Sequence, residues 1–208
     1  MQKKKDIYKS IFELYTDLGQ DYLNGIKKVK PIELNDFMNL IVKKGRVLDA
    51  GCANGRDSNR FIKKGFEVIG IDLVDLFLKS ARKNVPKAKF IKMNLLDLKF
   101  PRNYFDAIWA HAVLLHIVKK DMPKAFLNFY RVLKPGGKLH IRTKKGNSVQ
   151  NKSEILTNNK KRFSIYYTKK EIEEYAKSAG FKILQSKIYA DELKRKNTKW
   201  VGIWAEKK

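Results

Sequence analysis

Between Asp6 and Ile26 the apolar side chains Ile7, Ile11, Leu14, Leu18 and Tyr22 recur every three or four residues, which predicts a helix with one buried stripe. A second helical period follows Pro31, with Leu34, Phe37, Met38 and Ile41 on its apolar face. Short apolar runs then alternate with helical ones. "RVLDA" is a strand ended by Gly51, "DSNRFIKKG" a helix stopped by Gly65, "FEVIGIDL" a strand and "LVDLFLKSARKN" a helix. "AKFIKMN" and "YFDAIWAHA" follow as strands, and the helix "KDMPKAFLNFYRVL" is broken by Pro135-Gly136-Gly137 before the strand "KLHIRT". Alternation of this kind predicts an α/β fold, a doubly wound parallel sheet with helices over both faces.

After Thr143 the period is lost. "KKGNSVQNKSEILTNNKKR" is polar, basic and rich in Asn and Ser, and reads as a long surface loop or lid. "FSIYY" is a short strand, and Thr168 with Glu171 forms a capping box for the helix "KKEIEEYAKSA", closed by Gly180. Two strands, "FKILQSKIY" and "KWVGIWAEK", end the chain around a charged turn. We read residues 1–208 as a single domain: a helical cap (1–44), a ligand-binding core (45–143), a basic lid or loop (144–165), and a helix with a hairpin (166–208).

Composition narrows the class. With 208 residues, 43% hydrophobic and 32% charged, the chain can bury a sizeable core. Its single cysteine, Cys52, excludes an intrachain disulfide and a Cys-based zinc cluster, so we assign no metal. No apolar run reaches the roughly 20 residues that span a bilayer, and the start "MQKKKDIYKS" lacks a secretory core, which predicts a cytoplasmic protein without a membrane partner. The net charge of +25 attracts phosphates and keeps RNA open as a partner. Lys outnumbers Arg by 37 to 9, however, and lies scattered in doublets, whereas phosphate clamps favour Arg.

The chemistry begins at Asp49-Ala50-Gly51-Cys52-Ala53-Asn54-Gly55. A strand ending in Gly-x-x-x-Gly before a helix lets a ligand approach the backbone, and Asp72, at the end of the next strand, can take both hydroxyls of a ribose. The Gly-x-Gly-x-x-Gly pattern of dinucleotide binders is absent, with Ala53 and Arg56 at its second and third positions. Asp49 is a poor neighbour for a pyrophosphate and a good one for an ammonium group.

In order and spacing, "VLDAGCANGRD", "VIGIDL", "FDAIWA" and "YRVLKPGGKL" resemble the signature segments of class I S-adenosylmethionine-dependent methyltransferases. The resemblance implies a Rossmann-like sheet of seven strands, mostly parallel, whose last strand inserts antiparallel beside the fifth. It implies S-adenosylmethionine as cofactor, with Asp49, Gly51, Cys52, Ala53, Gly55 and Arg56 around its methionine end, and Asp72 and Leu73 at the ribose. Asn94, where the family usually has Asp, would meet the adenine with Leu95 and Leu96, and Ala110 would border the cofactor. Tyr15, on the cap, would touch the methionine carboxylate.

Methyl transfer is an in-line displacement, so a base is needed only when the acceptor carries a proton of high pKa. In "WAHAVLLHI", His111 is the first candidate base and His116 the second, while His140 inside "KLHIRT" reads as structural. Tyr166, Tyr167 and Arg162 are candidates for contact with the acceptor, Arg162 being grouped with Lys160 and Lys161 in the densest basic cluster. The Asn-Pro-Pro-Tyr motif of base-amine methyltransferases is missing, and Cys52 sits in the cofactor loop, where it cannot attack a pyrimidine. The reading is methyl transfer to oxygen or nitrogen of a small molecule. The alternatives are an RNA or ribosome methyltransferase using its basic surface, and a non-catalytic cofactor-binding protein.

Overall fold

Beyond Arg46, every residue of β1 (Arg46–Ala50) is buried, as a strand covered on both faces requires. It lies between β2 (Glu67–Asp72) and β4 (Phe105–His111), parallel to both, with Leu48 opposite Ile69 on one side and Ile108 on the other. Outward from β2 lies β3 (Lys89–Lys92); outward from β4 lie β5 (Leu133–Lys144), β9 (Lys199–Lys207) and β8 (Phe181–Ala190). The order is β3-β2-β1-β4-β5-β9-β8, and β9 runs antiparallel to both neighbours. This computed structural model, which describes residues 2–27, 29–195 and 197–208, thus has the seven-stranded, doubly wound, mostly parallel sheet with an antiparallel last strand.

Strand parity divides the core. Leu48 and Ala50 join Phe126, Phe129 and Ile172 beneath α5 (Met122–Val132) and α6 (Lys169–Ser178). Val47 joins Phe37, Phe61 and Trp109 beneath α2 (Leu34–Asn39) and α3 (Arg56–Lys63). The chain winds outward in opposite directions from β1 and β4, and at such a switch point the strand ends leave a crevice for a ligand. Helix α1 (Gln2–Ile26) crosses this end, with Leu14, Tyr15 and Leu18 packed on Val74 and on Phe77 of α4 (Asp75–Asn84). None of the described helices is long and apolar enough to cross a membrane.

Three local expectations are corrected. The first helix is broken at Gly19, whose φ of 46° and ψ of −120° suit glycine alone; the apolar stripe runs on either side and hides the break. Pro135-Gly136-Gly137 does not separate helix from strand: it is a bulge inside β5, with Leu133 opposite Phe105 and Lys138 opposite Ala107. Finally, the lid over 144–165 is not an irregular loop. Strands β6 (Val149–Ser153) and β7 (Lys161–Ile165) form an antiparallel hairpin around a 3-10 turn, Ile155–Thr157, that packs on α1. Its inward positions include Arg162, Ser164 and Thr157, so a buried face carried no apolar period. The capping box of α6 is present, with Glu171 N donating to Thr168 Oγ1 and Thr168 N to Glu171 Oε2.

Candidate functional site

Two cavities open at the carboxyl ends of β1, β2 and β4, of about 220 and about 100 Å³. They share Tyr22, Gly51, Ala53 and Ala112, so they meet across the turn after β1. Gly51 N and Cys52 N both donate to Ile71 O, at 2.8 and 3.0 Å, which pins the turn to β2. Gly51 has φ +78°, and a Cβ there would lie 2.7 Å from Val113. Ala53 holds φ 45°, a left-handed conformation that costs a non-glycine residue about 1 kcal/mol.

The first cavity is mostly apolar, with Leu73, Val74, Phe77, Leu95 and Leu96 in its wall. One side chain dominates its polar chemistry. Asp72 Oδ1 accepts from Leu73 N (2.8 Å) and Val74 N (3.1 Å), and Oδ2 from Ala53 N (3.0 Å). Burial raises its pKa and these three amides oppose the rise, fixing a carboxylate whose remaining lone pairs can take two hydroxyls. Asn94 lines this cavity too, with its Oδ1 already accepting from Leu96 N at 2.9 Å in a local turn.

Around the second cavity the side chains are charged. Buried Asp49 accepts from Ser58 Oγ at 2.6 Å, and burial together with the nearby charge of Asp57 pushes its carboxyl up to about 7. Arg56 grips Asp57 through Nε and Nη2, both at 2.8 Å, and donates from Nη1 to Ile26 O (3.2 Å), which ties the end of α1 to the turn. Cys52 lines this cavity, but burial and the neighbouring Asp49 push its thiol far up, away from a nucleophilic thiolate.

The two candidate bases are in different cavities. His111 lines the second, its ring stacked on Trp109 (5.4 Å between centroids, 4° between planes) and its buried Nε2 without a hydrogen-bond partner among the described residues. His116 lines the first, with Nε2 3.1 Å from Tyr15 Oη, which also accepts from Arg162 Nη1 at 2.6 Å. Burial holds both well below the ordinary histidine value, helped by Arg142 at His111 and by Arg162 at His116, so both rings are neutral at pH 7. His140 is fully buried, stacked 4.0 Å from Trp109 between the sheet and α2.

Four candidates sit elsewhere than expected. Ala110 points into the core from β4, and Ala112 and Val113 beyond it line the first cavity instead. Gly55, at φ +75°, starts α3 behind the turn, faces Phe90 and Val85, and lines neither cavity. Tyr167 is in the core, its hydroxyl donating to Ile117 O. Tyr166 packs over Gly146 with the Lys144 ammonium 5.4 Å from its ring, so neither tyrosine reaches a cavity. Arg162 does line the second cavity, though buried and paired with Glu154, while Lys160 and Lys161 stay in solvent.

Sequence reasoning missed the wall opposite the turn. The β8–β9 connection contributes Asp191, Glu192, Leu193 and Arg195, and β9 adds Trp200. Arg195 holds Asp191 with two nitrogens, at 2.9 and 2.7 Å, and Trp200 Nε1 donates to Asp191 Oδ1 at 2.8 Å. Only the i, i+4 spacing of Asp191 and Arg195 hinted at an ordered turn there.

Residues 48–141 match the family described as "Methyltransferase domain". The ubiquinone biosynthesis O-methyltransferase of Coxiella burnetii is 29% identical over 151 residues, 67% of this chain and 64% of that protein. Among solved structures, the Burkholderia thailandensis 1,6-didemethyltoxoflavin-N1-methyltransferase, with bound S-adenosylhomocysteine, has a TM-score of 0.78 at 18% identity, covering 99% of this chain and 89% of that one. The [4+2]-cyclase SpnF has a TM-score of 0.76 at 16% identity, covering 96% of each. At these identities the structures share the fold alone. The chain spans less than two thirds of the length of the first curated relatives it matches.

Proposed function

We propose that the chain is a class I S-adenosylmethionine-dependent methyltransferase that transfers a methyl group to an oxygen or nitrogen of a small molecule held against the wall of the second cavity opposite the turn. The observation that carries this reading is the meeting of two unlike cavities at one turn: an apolar one with a fixed carboxylate, and a charged one with a buried histidine.

The residues present fit the cofactor. Leu73, Val74, Phe77 and Leu95 make a slot of the right character for a purine, with Asp72 beside it for the ribose hydroxyls. Asp49 and Arg56, on either side of the turn, carry the charges that suit the ammonium and carboxylate of a methionine end. When bound, the sulfonium supplies an electrophilic methyl group. The chain's own work is then to hold the acceptor in line with it, which Gly51, Ala53 and Ala112 permit by presenting only small side chains at the junction, with Tyr22 as the one large residue both cavities share. Tyr22, Leu115 and Leu156 exclude water there, and His111, neutral and held flat against Trp109, takes the acceptor's proton at a ring nitrogen.

Helix α1 acts as a cap over the cofactor, while α2 covers the face of the sheet around Trp109, and the β6–β7 hairpin with the β8–β9 connection forms the acceptor wall. Calorimetry with S-adenosylhomocysteine, followed by a screen of a metabolite extract with methyl-labelled cofactor, tests the reading. Binding with label in a small-molecule product is expected; no binding at millimolar concentration sinks it. The net charge of +25 favours RNA as the second reading, in which label enters RNA and binding weakens steeply with salt.

A further inference from the structure

Two adjacent groups of buried charge meet at the second cavity, joined through Trp200, whose ring faces both Arg142 and Arg195. On one side Arg142, fully buried between Tyr189 and Trp200, is gripped by two carboxylates, Glu33 at 2.9 Å and Glu192 with Nη2 at 2.6 Å. Glu192 lines the cavity. His140, 3.6 Å from Glu33, is held below its ordinary pKa by burial, so this pole keeps an excess of negative charge.

On the other side three cations face two carboxylates. Lys144, Arg162 and Arg195 all converge on Glu154, and Asp191 pairs with Arg195 alone. Arg162, 4% exposed, forms part of the cavity wall, and its Nε has no hydrogen-bond partner among the described residues. The ammonium of Lys144 is pushed down to about 8, chiefly by burial and then by the charge of Arg162, with Glu154 opposing. A buried cation without its full share of counter-charge is costly, and an anion that reaches it is held strongly.

Taking the second cavity as the acceptor chamber, as proposed above, we infer that the acceptor is an anionic small molecule whose carboxylate or phosphate docks on Arg162 of the β6–β7 hairpin. The buried guanidinium in the wall, with its Nε free of partners among the described residues, thus selects for an anionic group on the acceptor.

The test is a thermal-shift titration of the whole chain at saturating S-adenosylhomocysteine, with benzoate and phenyl phosphate as anionic probes and benzamide as the neutral isostere. The anions should raise the melting temperature and benzamide should not. Arg162→Gln should weaken benzoate by about tenfold or more, and Glu154→Gln, which leaves the cations less neutralised, should tighten it by a similar factor. The opposite signs keep the test sharp even where Arg162→Gln fails to fold. Equal response to benzoate and benzamide, or no response to either anion, overturns the inference. So does an Arg162→Gln variant that loses S-adenosylhomocysteine and keeps benzoate, since the guanidinium then serves the cofactor, and so does stabilisation by a short RNA in place of the small anions. Failure of S-adenosylhomocysteine itself to bind the unaltered protein strikes the cofactor reading instead, and is scored separately.

Discussion

Replacing Asp49 by Asn should make the ligand-free protein more stable at pH 8 and a poorer binder of its cofactor. The Asp49 carboxyl titrates at about 7, raised by burial and by Asp57, whereas a free aspartate titrates near about 4. A folded-state pKa above the unfolded one means that the folded chain keeps a proton the unfolded chain has lost. Stability therefore falls as pH rises from about 4 to about 7, by about 4 kcal/mol once the window is crossed. Asn carries no proton to lose, and its side-chain oxygen can still accept from Ser58 Oγ. Urea unfolding from pH 5 to pH 8 should show a gap between variant and parent that widens with pH, to a few kcal/mol. Cofactor binding would ionise the carboxyl, so calorimetry in buffers of different ionisation enthalpy should show the parent releasing about half a proton per site at pH 7 and the variant none. An Asp49→Asn protein less stable than its parent at pH 8 would refute the reasoning, because it would mean that the ionised carboxylate is welcome in the empty site.

Other outcomes follow from the geometry. Gly51→Ala places a methyl 2.7 Å from Val113 at φ +78° and should cost about 2 kcal/mol in calorimetric stability while abolishing the S-adenosylhomocysteine shift; full retention of both would count against the turn as the junction. Tyr8→Phe removes the 2.7 Å bond to Asp121 and the 3.2 Å bond from Val118 N, so α1 should become more susceptible to limited proteolysis, with a loss of about 1 kcal/mol. His111→Ala should lower turnover by about a hundredfold or more, with cofactor affinity little changed. Because burial depresses the pKa of His111, kcat/KM for the acceptor, measured at saturating cofactor so that Asp49 stays ionised, should stay level from pH 8 down through 6.5; halving at the ordinary histidine value would remove His111 as the base.

The sheet was readable because its strands are covered on both faces. "VLDA" and "AIWA" are apolar runs interrupted only by Asp49, with neighbours on both faces apolar, as strands of a parallel, doubly wound sheet require. The turn was readable because small residues and a carboxylate, Asp72, stand at fixed distances along the chain. The far wall of the second cavity was not. Arg162 and Ser164 occupy buried positions with polar side chains, so the hairpin has no hydrophobic signature. Tyr167 shows a related limit: residue type admits both a binding aromatic and a packing one, and its position beside β5 sends the ring into the core. The wall formed by Asp191, Arg195 and Trp200 meets α1 and β1 only because β9 is inserted beside β5, a matter of topology that no local period encodes.

The outer walls of the second cavity come from α1, the β6–β7 hairpin and the β8–β9 segment, all outside residues 48–141. The hairpin follows β5 and the β8–β9 segment belongs to the antiparallel side of the sheet, while α1 precedes β1 in the chain. If the second cavity admits the acceptor as proposed, the molecule is divisible in evolutionary terms: drift or exchange in three segments can change which acceptor enters without altering the strands beneath the turn. Paralogues that diverge in acceptor should differ most in these segments, and a graft of all three together is the smallest unit by which one acceptor preference can be moved to another chain.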